Sequence, residues 1–600
     1  MSGGISEDAL QAGYDHTLFR RIVRYLAPYR WLVASALGLL AIQAALALVG
    51  PELTQRAIDV AIPKGDSGLL LTLSLVYAAS LVLSFGADYG GSFLTTLIGQ
   101  RVMDDMRREL FGHLQRLSIP YFDRHPVGRL VTRVTSDVET LNELLSSGIV
   151  TVIGDVLTLV AIMTLMLVMD WRLALVAFAV MPLVLLVAVV FRRHVREAFR
   201  DIRTRLARLN SFLQEYLAGM RVVQLFGRER ETLGRFERVN ADHLEAHLRS
   251  ITIYAVFLPL MEVLTSVSLA LLLWYGGFRA LDATLTVGIL AAFIQLTRRF
   301  FQPLQDLSEK FNLLQSAMAS SERIFTLLDQ PVTVPAPAHP VRLPAHPRGE
   351  IRFEKVWFRY SPDGPWVLKD VSFVASPGRT LALVGYTGAG KTTIISLLLR
   401  FYDVTEGRIT LDGVDLRELD PEHLRRLIGF VQQDLFLFAG DILRNLVLDT
   451  GVSPDQAREA AKRVGADRFI ERLPAGYGHV LGERGRSLSV GERQLLSFAR
   501  ALALDPAILV LDEATSSVDA QAEAQIQRAL AELMVGRTSI VVAHRLSTIL
   551  HADEILVMHH GEIRERGSHR ELLAARGLYE RLYRLQIAAQ GDAPEAAATA

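Results

Sequence analysis

What most limits the fold is where the apolar residues lie. Between about 30 and 320 they run in long, nearly uncharged blocks, whereas residues from about 350 onward mix apolar and charged side chains as a globular domain does. A hydrocarbon core about 30 Å thick takes about 20 residues of helix to cross. Six blocks meet that length: 32–53, 68–98, 143–169, 172–191, 252–276 and 284–318. Half of the 600 residues are hydrophobic, and their segregation excludes a purely soluble enzyme, a disordered scaffold and a fibre. The pattern predicts a multi-domain membrane protein. Its parts are a cytosolic N-terminus at 1–31, a six-helix α-helical transmembrane domain at 32–328, a linker at 329–349, an α/β domain at 350–587 and a disordered tail at 588–600.

The connections alternate in length. Segments 54–67, 170–171 and 277–283 are short and carry only Arg56, Lys64 and Arg279 as cations, whereas 99–142 and 192–251 are long and Arg-rich. Positive charge stays on the cytoplasmic side, so the long loops and both termini are expected there. Apolar residues at i, i+3 and i+4 make these loops helical extensions of the spans. Residues 17–31 alternate bulky apolar residues with Arg, as an amphipathic helix on the inner membrane surface would. Residues 1–16 lack the apolar core of a signal peptide. Lys+Arg 64 balances Asp+Glu 64, so no basic field points to nucleic acid, and the absence of Cys excludes disulfides and thiol chemistry.

Ionisable residues inside the spans are few: Asp88, Asp155, Glu262, Arg298 and Arg299. Each costs about 2.5–3.5 kcal/mol at mid-bilayer on insertion scales, so each needs a watery cavity or a partner. Glu262 with Arg298 and Arg299 forms either a charged cavity or a structural ion pair between consecutive spans. Gln295 and Gln43 are further candidates for the cavity wall.

Residues 329–349 are proline-rich and read as a linker. Beyond it, strand-like runs alternate with helical stretches, the pattern of a largely parallel sheet. Between the run LALV and the helix-like IISLLLR stands GYTGAGKTT: Gly385, Tyr386, Thr387, Gly388, Ala389, Gly390, Lys391, Thr392 and Thr393. Strand, Gly-rich turn and helix are the setting of a phosphate loop, in which backbone N–H groups and a helix N-terminus hold the phosphates. Lys391 would reach the β- and γ-phosphates, and Thr392 would offer its hydroxyl to Mg²⁺. A buried strand at 508–511 ends in Asp512, placed for the same metal, and Glu513, in reach of an attacking water. A third strand ends in His544, at the strand edge where ligands collect.

Read together, these residues resemble the ATP-binding cassette (ABC) transporters, and in particular half-size type IV exporters of the bacterial multidrug and lipid type. The resemblance covers about 17–587, and its most specific element is LSVGERQLLSFARAL at 488–502. It implies ATP and Mg²⁺ as cofactors. Tyr360 would stack on adenine, and Gln433 would contact Mg²⁺. Ser489 and Gly491 would touch ATP held by a partner subunit. Asp519 resembles the D-loop Asp, His544 the switch histidine and Glu513 the general base. GERG at 482–485 and the segments 120–137 and 214–226 resemble the loops that link cassette and membrane helices. A second half-transporter, membrane lipids and amphiphilic drugs or peptides are the implied partners, at a bacterial inner membrane.

One departure matters. The family's common signature is LSGGQ, and here it is LSVGE, with Val490 and Glu492. Both changes are expected to weaken the contact with ATP. An altered signature beside complete phosphate-loop motifs resembles the heterodimeric multidrug exporters of thermophiles, which are similar to the antigen-peptide transporter. The alternative is a variation tolerated in a homodimer.

Overall fold

The structure, a computed structural model, describes residues 16–344, 347–433, 435–512, 520–542 and 549–590. The chain divides into two compact units. One holds the residues up to 115 with 126–330; the other holds 116–125 with 331 onward.

The first unit is helical. Ser67–Arg116 has 50 residues and Glu229–Leu281 has 53. At 1.5 Å per residue each is about 75–80 Å long, more than twice the hydrocarbon thickness. The Arg-rich loops are thus continuations of spans, as their periodicity predicts. Among the described residues five stretches have the length and apolarity to cross a membrane: Ala27–Ala61, Ser67–Arg116, Val127–Met169, Trp171–Ala218 and Glu229–Leu281. A sixth helix, Val287–Leu328, is unbroken, but Gln295, Thr297, Arg298 and Arg299 interrupt its apolar run.

Helix Ser67–Arg116 turns Ser80, Ala87, Gly91 and Thr95 inward and leaves Leu71, Leu75, Val82 and Phe85 exposed. In water that stripe would aggregate. Against lipid tails it is the expected outer face, with small residues at the helix contacts. The unit's core gathers Ile162, Met166, Leu173, Met261 and Phe293, with the rings of Phe191 and Phe257 stacked at 3.7 Å.

The N-terminal segment departs from its expectation. The helix covers His16–Arg24 only, and a short turn at Ala27–Tyr29 precedes a new helix, Arg30–Arg56. Pro28 lacks an N–H and disfavours helical backbone before it, so the amphipathic run cannot continue to 31.

Several of the intramembrane polar residues find partners within the bundle. Asp88 accepts from the Gln43 amide at 2.9 Å, Gln295 donates to the Thr54 hydroxyl at 3.2 Å, and Arg299 donates to the carbonyl of Ala47. Among the described contacts none joins Glu262, which is exposed, to Arg298 or Arg299. Arg299 turns to the first spanning helix because a backbone carbonyl there lies on its own helix face. Towards the other end of that helix Asp59 accepts from the Thr286 hydroxyl at 2.5 Å and from the Gly288 N–H at 2.7 Å, capping Val287–Leu328. A Cβ at Gly288 would lie 2.5 Å from the Gln55 carbonyl oxygen and 2.6 Å from the Asp59 carboxylate. Gly288→Ala is therefore expected to destabilise by about 1–3 kcal/mol, as overpacking does. Thermal unfolding of the purified protein checks this; an unchanged midpoint contradicts the close approach.

The second unit carries the sheets. Strands β1 (Ile351–Phe358), β2 (Leu368–Ala375), β4 (Glu406–Leu411) and β5 (Val414–Asp415) form an antiparallel sheet ordered β2-β1-β4-β5. A second sheet is ordered β12-β11-β3-β10-β9-β6. Its strands are β3 (Thr380–Gly385), β6 (Ile428–Val431), β9 (Ile508–Asp512), β10 (Thr538–Val542), β11 (Glu554–His559) and β12 (Glu562–Gly567). All its pairings are parallel except β11 with β12. A two-residue pair, β7 (Gly440–Asp441) and β8 (Val480–Leu481), lies apart. Strands β9 and β10 are buried throughout, which is why they read as unbroken apolar runs.

Candidate nucleotide site

In an open parallel sheet, ligands collect beyond the C-terminal strand ends. Val542 pairs with Asp512 on one side and with Leu383 on the other, Met558 pairs with Gly385, and Val431 pairs with Leu511. The strand ends leading to the phosphate loop, to Asp512 and to Gln433 therefore share one edge of one sheet.

The loop itself requires glycine. Gly388 and Gly390 have φ of 82° and 102°, and a Cβ on Gly390 would sit 2.7 Å from Leu368 Cδ2. A Cβ on Gly385 would collide with the Met558 carbonyl. Tyr386, Thr387 and Gly388 are exposed at the turn, and Ala389 is buried beneath it. Helix Lys391–Leu398 starts directly after Gly390. Lys391 Nζ donates to the carbonyls of Gly385 at 2.6 Å and Tyr386 at 3.0 Å, which holds its ammonium across the mouth of the loop. Burial pushes its pKa down and the nearby Asp512 carboxylate opposes that shift. An anion in the loop would satisfy this partly desolvated charge.

Thr392 is exposed at the first turn of the helix, Thr393 is buried and Gln433 is exposed just past β6. The hydroxyl of Thr392, the carboxylate of Asp512 and the amide oxygen of Gln433 form an all-oxygen donor set, which suits Mg²⁺. Tyr360 lies two residues beyond β1. Its hydroxyl is 3.0 Å from Thr393 Oγ1, and Phe358 and Tyr402 meet it edge-on with ring centroids at 4.9 and 5.1 Å. The ring is thereby fixed yet 41% exposed, as a stacking platform needs. Glu513, Asp519 and His544 lie outside the described residues.

Helix Val490–Ala503 opens on a reciprocal cap. Ser489 Oγ accepts from the Glu492 N–H at 3.2 Å, and Glu492 Oε2 accepts from the Ser489 N–H at 2.8 Å. The sequence reading treats Glu492 as a stray acid beside an anion; the structure gives its carboxylate a structural partner. Val490 is half-exposed at the first helical position, and Gly491 is buried. Glu492→Gln keeps both cap bonds, whereas Glu492→Ala loses one. The expected costs are near zero and about 0.5–2 kcal/mol respectively, read from thermal unfolding; equal midpoints for the two variants refute the cap.

Three contacts join segments that the motifs name only singly. Helix Ile119–Arg124 belongs to this unit: Tyr402 donates to Asp123 at 2.5 Å, and Arg124 donates to the Tyr360 carbonyl at 2.7 Å. Burial, with that bond to Asp123, pushes the Tyr402 phenol well up. Arg500, in the signature helix, donates to the carbonyls of Asn445 at 2.9 Å and Phe436 at 3.1 Å. Gly485, in the GERG segment, has φ of 59°, and a Cβ there would meet Leu437 at 2.7 Å. Signature, GERG and the stretch after Gln433 thus touch.

Comparison with known proteins fits this geometry. Residues 33–304 match the ABC transporter transmembrane region and 368–516 the ABC transporter cassette. A fatty acid ABC transporter ATP-binding/permease protein of Mycobacterium bovis is 40% identical over 86% of this chain and 80% of its own. An ATP-dependent lipid A-core flippase of Syntrophus aciditrophicus is 35% identical over 95% of this chain and 94% of its own. A bacterial Atm1-family ABC exporter solved with ATP bound superposes with a TM-score of 0.77 at 27% identity, over 95% of this chain and 100% of that one. With its spans, its phosphate loop and its capped signature helix on a single polypeptide, this chain belongs to the ABC transporters, as a half-size type IV exporter whose ATPase is coupled to transport.

Proposed function

We propose that the chain exports amphiphilic substrates (drugs, peptides or lipids) across the bacterial inner membrane, as one half of a heterodimer. The observation that carries this reading is the single cassette. Ser489 and Gly491 open a helix that resembles the family's signature, which touches ATP held by a second subunit, so in this reading one chain does not close a nucleotide site alone. A second observation supports dimerisation. In the Arg-rich connection between helices Met181–Ala218 and Glu229–Leu281, Leu217, Val222, Leu225 and Phe226 stand exposed. A partner's cassette would cover them.

In this reading both termini and the cassette are cytoplasmic, ATP sits on the phosphate loop against Tyr360, and Mg²⁺ is held by Thr392, Gln433 and Asp512. The metal, when bound, neutralises charge on the phosphates. Lys391 binds the phosphates, Glu513 takes a proton from the attacking water, His544 steadies the γ-phosphate and Asp519 links the two cassettes. ATP contacts both subunits in the closed pair, so its binding favours closure. Gln295, Arg298, Arg299 and Glu262 are proposed for the substrate cavity. Val490, a β-branched side chain where the family's signature has Gly, favours a heterodimer, in which this signature faces the weaker of two sites.

The relatives that handle fatty acid and lipid A-core favour a second reading, a homodimeric lipid flippase. Native mass spectrometry of the chain purified from its own host's membranes separates the two. A second, different subunit of similar size supports the heterodimer; a mass of two 66.5 kDa copies refutes it.

A further inference from the structure

The N-terminal helix His16–Arg24 has two different faces. One is docked. Ile22 is fully buried. Arg21 forms a bidentate pair with Asp329, at 2.6 and 2.9 Å, and its guanidinium lies 4.2 Å over the Phe325 ring. Tyr25 donates to Glu109 at 2.7 Å and stacks on Phe325, and Tyr29 donates to Asp105 at 2.6 Å. These contacts grip the charged extensions of helices Ser67–Arg116 and Val287–Leu328. Asp329 is the C-cap of the latter and the first residue of the proline-rich linker, two residues before Pro331.

The other face is open. Arg20 and Arg24 stand one turn apart, and Arg30 follows beside Trp31. All three arginines are exposed, and none has an ion-pair partner among the described residues. Trp31 is 76% exposed and Val23 is 41% exposed. Trp31 begins the first apolar span, so this face lies at the level of the lipid headgroups. Arginines with an indole at that level match anionic phosphate above and acyl chain below.

We propose that Arg20, Arg24, Arg30 and Trp31 form a binding site for anionic phospholipid headgroups, and that its occupancy reaches the end of the sixth helix through the Arg21–Asp329 pair. The site is separate from any transported substrate and holds whether the exporter is a homodimer or a heterodimer. Lipid on the open face restrains the same short helix whose docked face holds Asp329. A bilayer rich in anionic lipid therefore steadies the junction between the sixth helix and the linker, and the ATPase rate responds. Polybasic contacts of this kind gain roughly fivefold in affinity per cation near the surface.

The test uses the assembled transporter in detergent and in nanodiscs. Native mass spectrometry is expected to show phosphatidylglycerol retained over phosphatidylcholine by the parent protein. The variant with Arg20→Gln, Arg24→Gln and Arg30→Gln is expected to lose about tenfold or more of that preference. Its ATPase in neutral nanodiscs should match the parent, which shows that it is folded, and the rise on adding phosphatidylglycerol should vanish. Asp329→Asn should keep the lipid and lose the ATPase response. An undiminished preference in the arginine variant overturns the site. Displacement of the lipid by inorganic phosphate would reassign it to free anions, and an acidic protein retained in place of lipid would reassign it to a protein partner; either overturns the membrane assignment. An unaltered response in Asp329→Asn overturns the transmission.

Discussion

Glu513→Gln is expected to leave ATP binding intact while lowering the ATPase rate at least about a hundredfold, the usual contribution of a positioned general base. Gln matches Glu in size and can still hold a water, but it cannot accept the proton that the water must lose. Lys391→Ala should behave differently. Lys391 is held at the loop mouth by the Gly385 and Tyr386 carbonyls, where burial makes its charge costly and the Asp512 carboxylate offsets only part of that cost. Without it, the phosphates lose their one cation in that loop, and nucleotide affinity should fall with the rate. Equilibrium binding of a fluorescent ATP analogue, beside steady-state hydrolysis, separates the two. Unchanged hydrolysis in Glu513→Gln would sink the assignment of the base, and normal binding in Lys391→Ala would sink the role of the lysine.

Arg500→Met is expected to destabilise the cassette by about 3 kcal/mol. Arg500 lies in the signature helix, and its burial lowers its pKa. It donates to two backbone carbonyls and, at 3.3 Å, to Asn445 Oδ1. Asn445 in turn holds the Phe438 N–H and carbonyl at 2.9 Å each. Met keeps most of the volume and leaves the part-buried Asn445 carbonyl and Oδ1 without this donor, at about 1–3 kcal/mol for each group left unsatisfied, while the exposed Phe436 carbonyl turns to water. For a unit of this size that is a fall of about 6–12 °C in thermal midpoint. Arg500→Lys should recover little, because an ammonium cannot span three acceptors as a guanidinium does. A midpoint within a degree of the parent would show that Arg500 does not hold this stretch.

The phosphate loop was legible because nine adjacent residues carry it, strand end to helix start. The spans were legible because lipid fixes a minimum length and forbids most charges inside it. The rotation of a helix about its axis leaves no such trace. Glu262 and Arg299 sit on consecutive spans, so sequence order suggested a pair, yet Arg299 faces Ala47 on the first helix. Glu492 shows a different failure. Serine followed three residues later by Glu is a helix-start signal in its own right, but here it lies inside a family signature, and comparison with LSGGQ drew attention to charge instead. Segment 120–137 resembles a loop that meets the cassette, but the pairing of Asp123 with Tyr402 was beyond reach, because 279 residues separate them and no local pattern names the partner.

That separation also bears on how the protein is made. Helix Ile119–Arg124 leaves the ribosome long before its partners, Tyr360 lying 236 residues beyond Arg124 and Tyr402 lying 279 beyond Asp123. At about 5–20 residues per second, the short helix waits roughly 12–56 seconds for the surface it completes. During that interval Asp123 lacks its donor and Arg124 its acceptor, while the later spans are still being made. A cassette produced without residues 116–125 would be born lacking a piece of its own contact network. The cassette of this exporter is therefore completed by a segment made well before the rest of it.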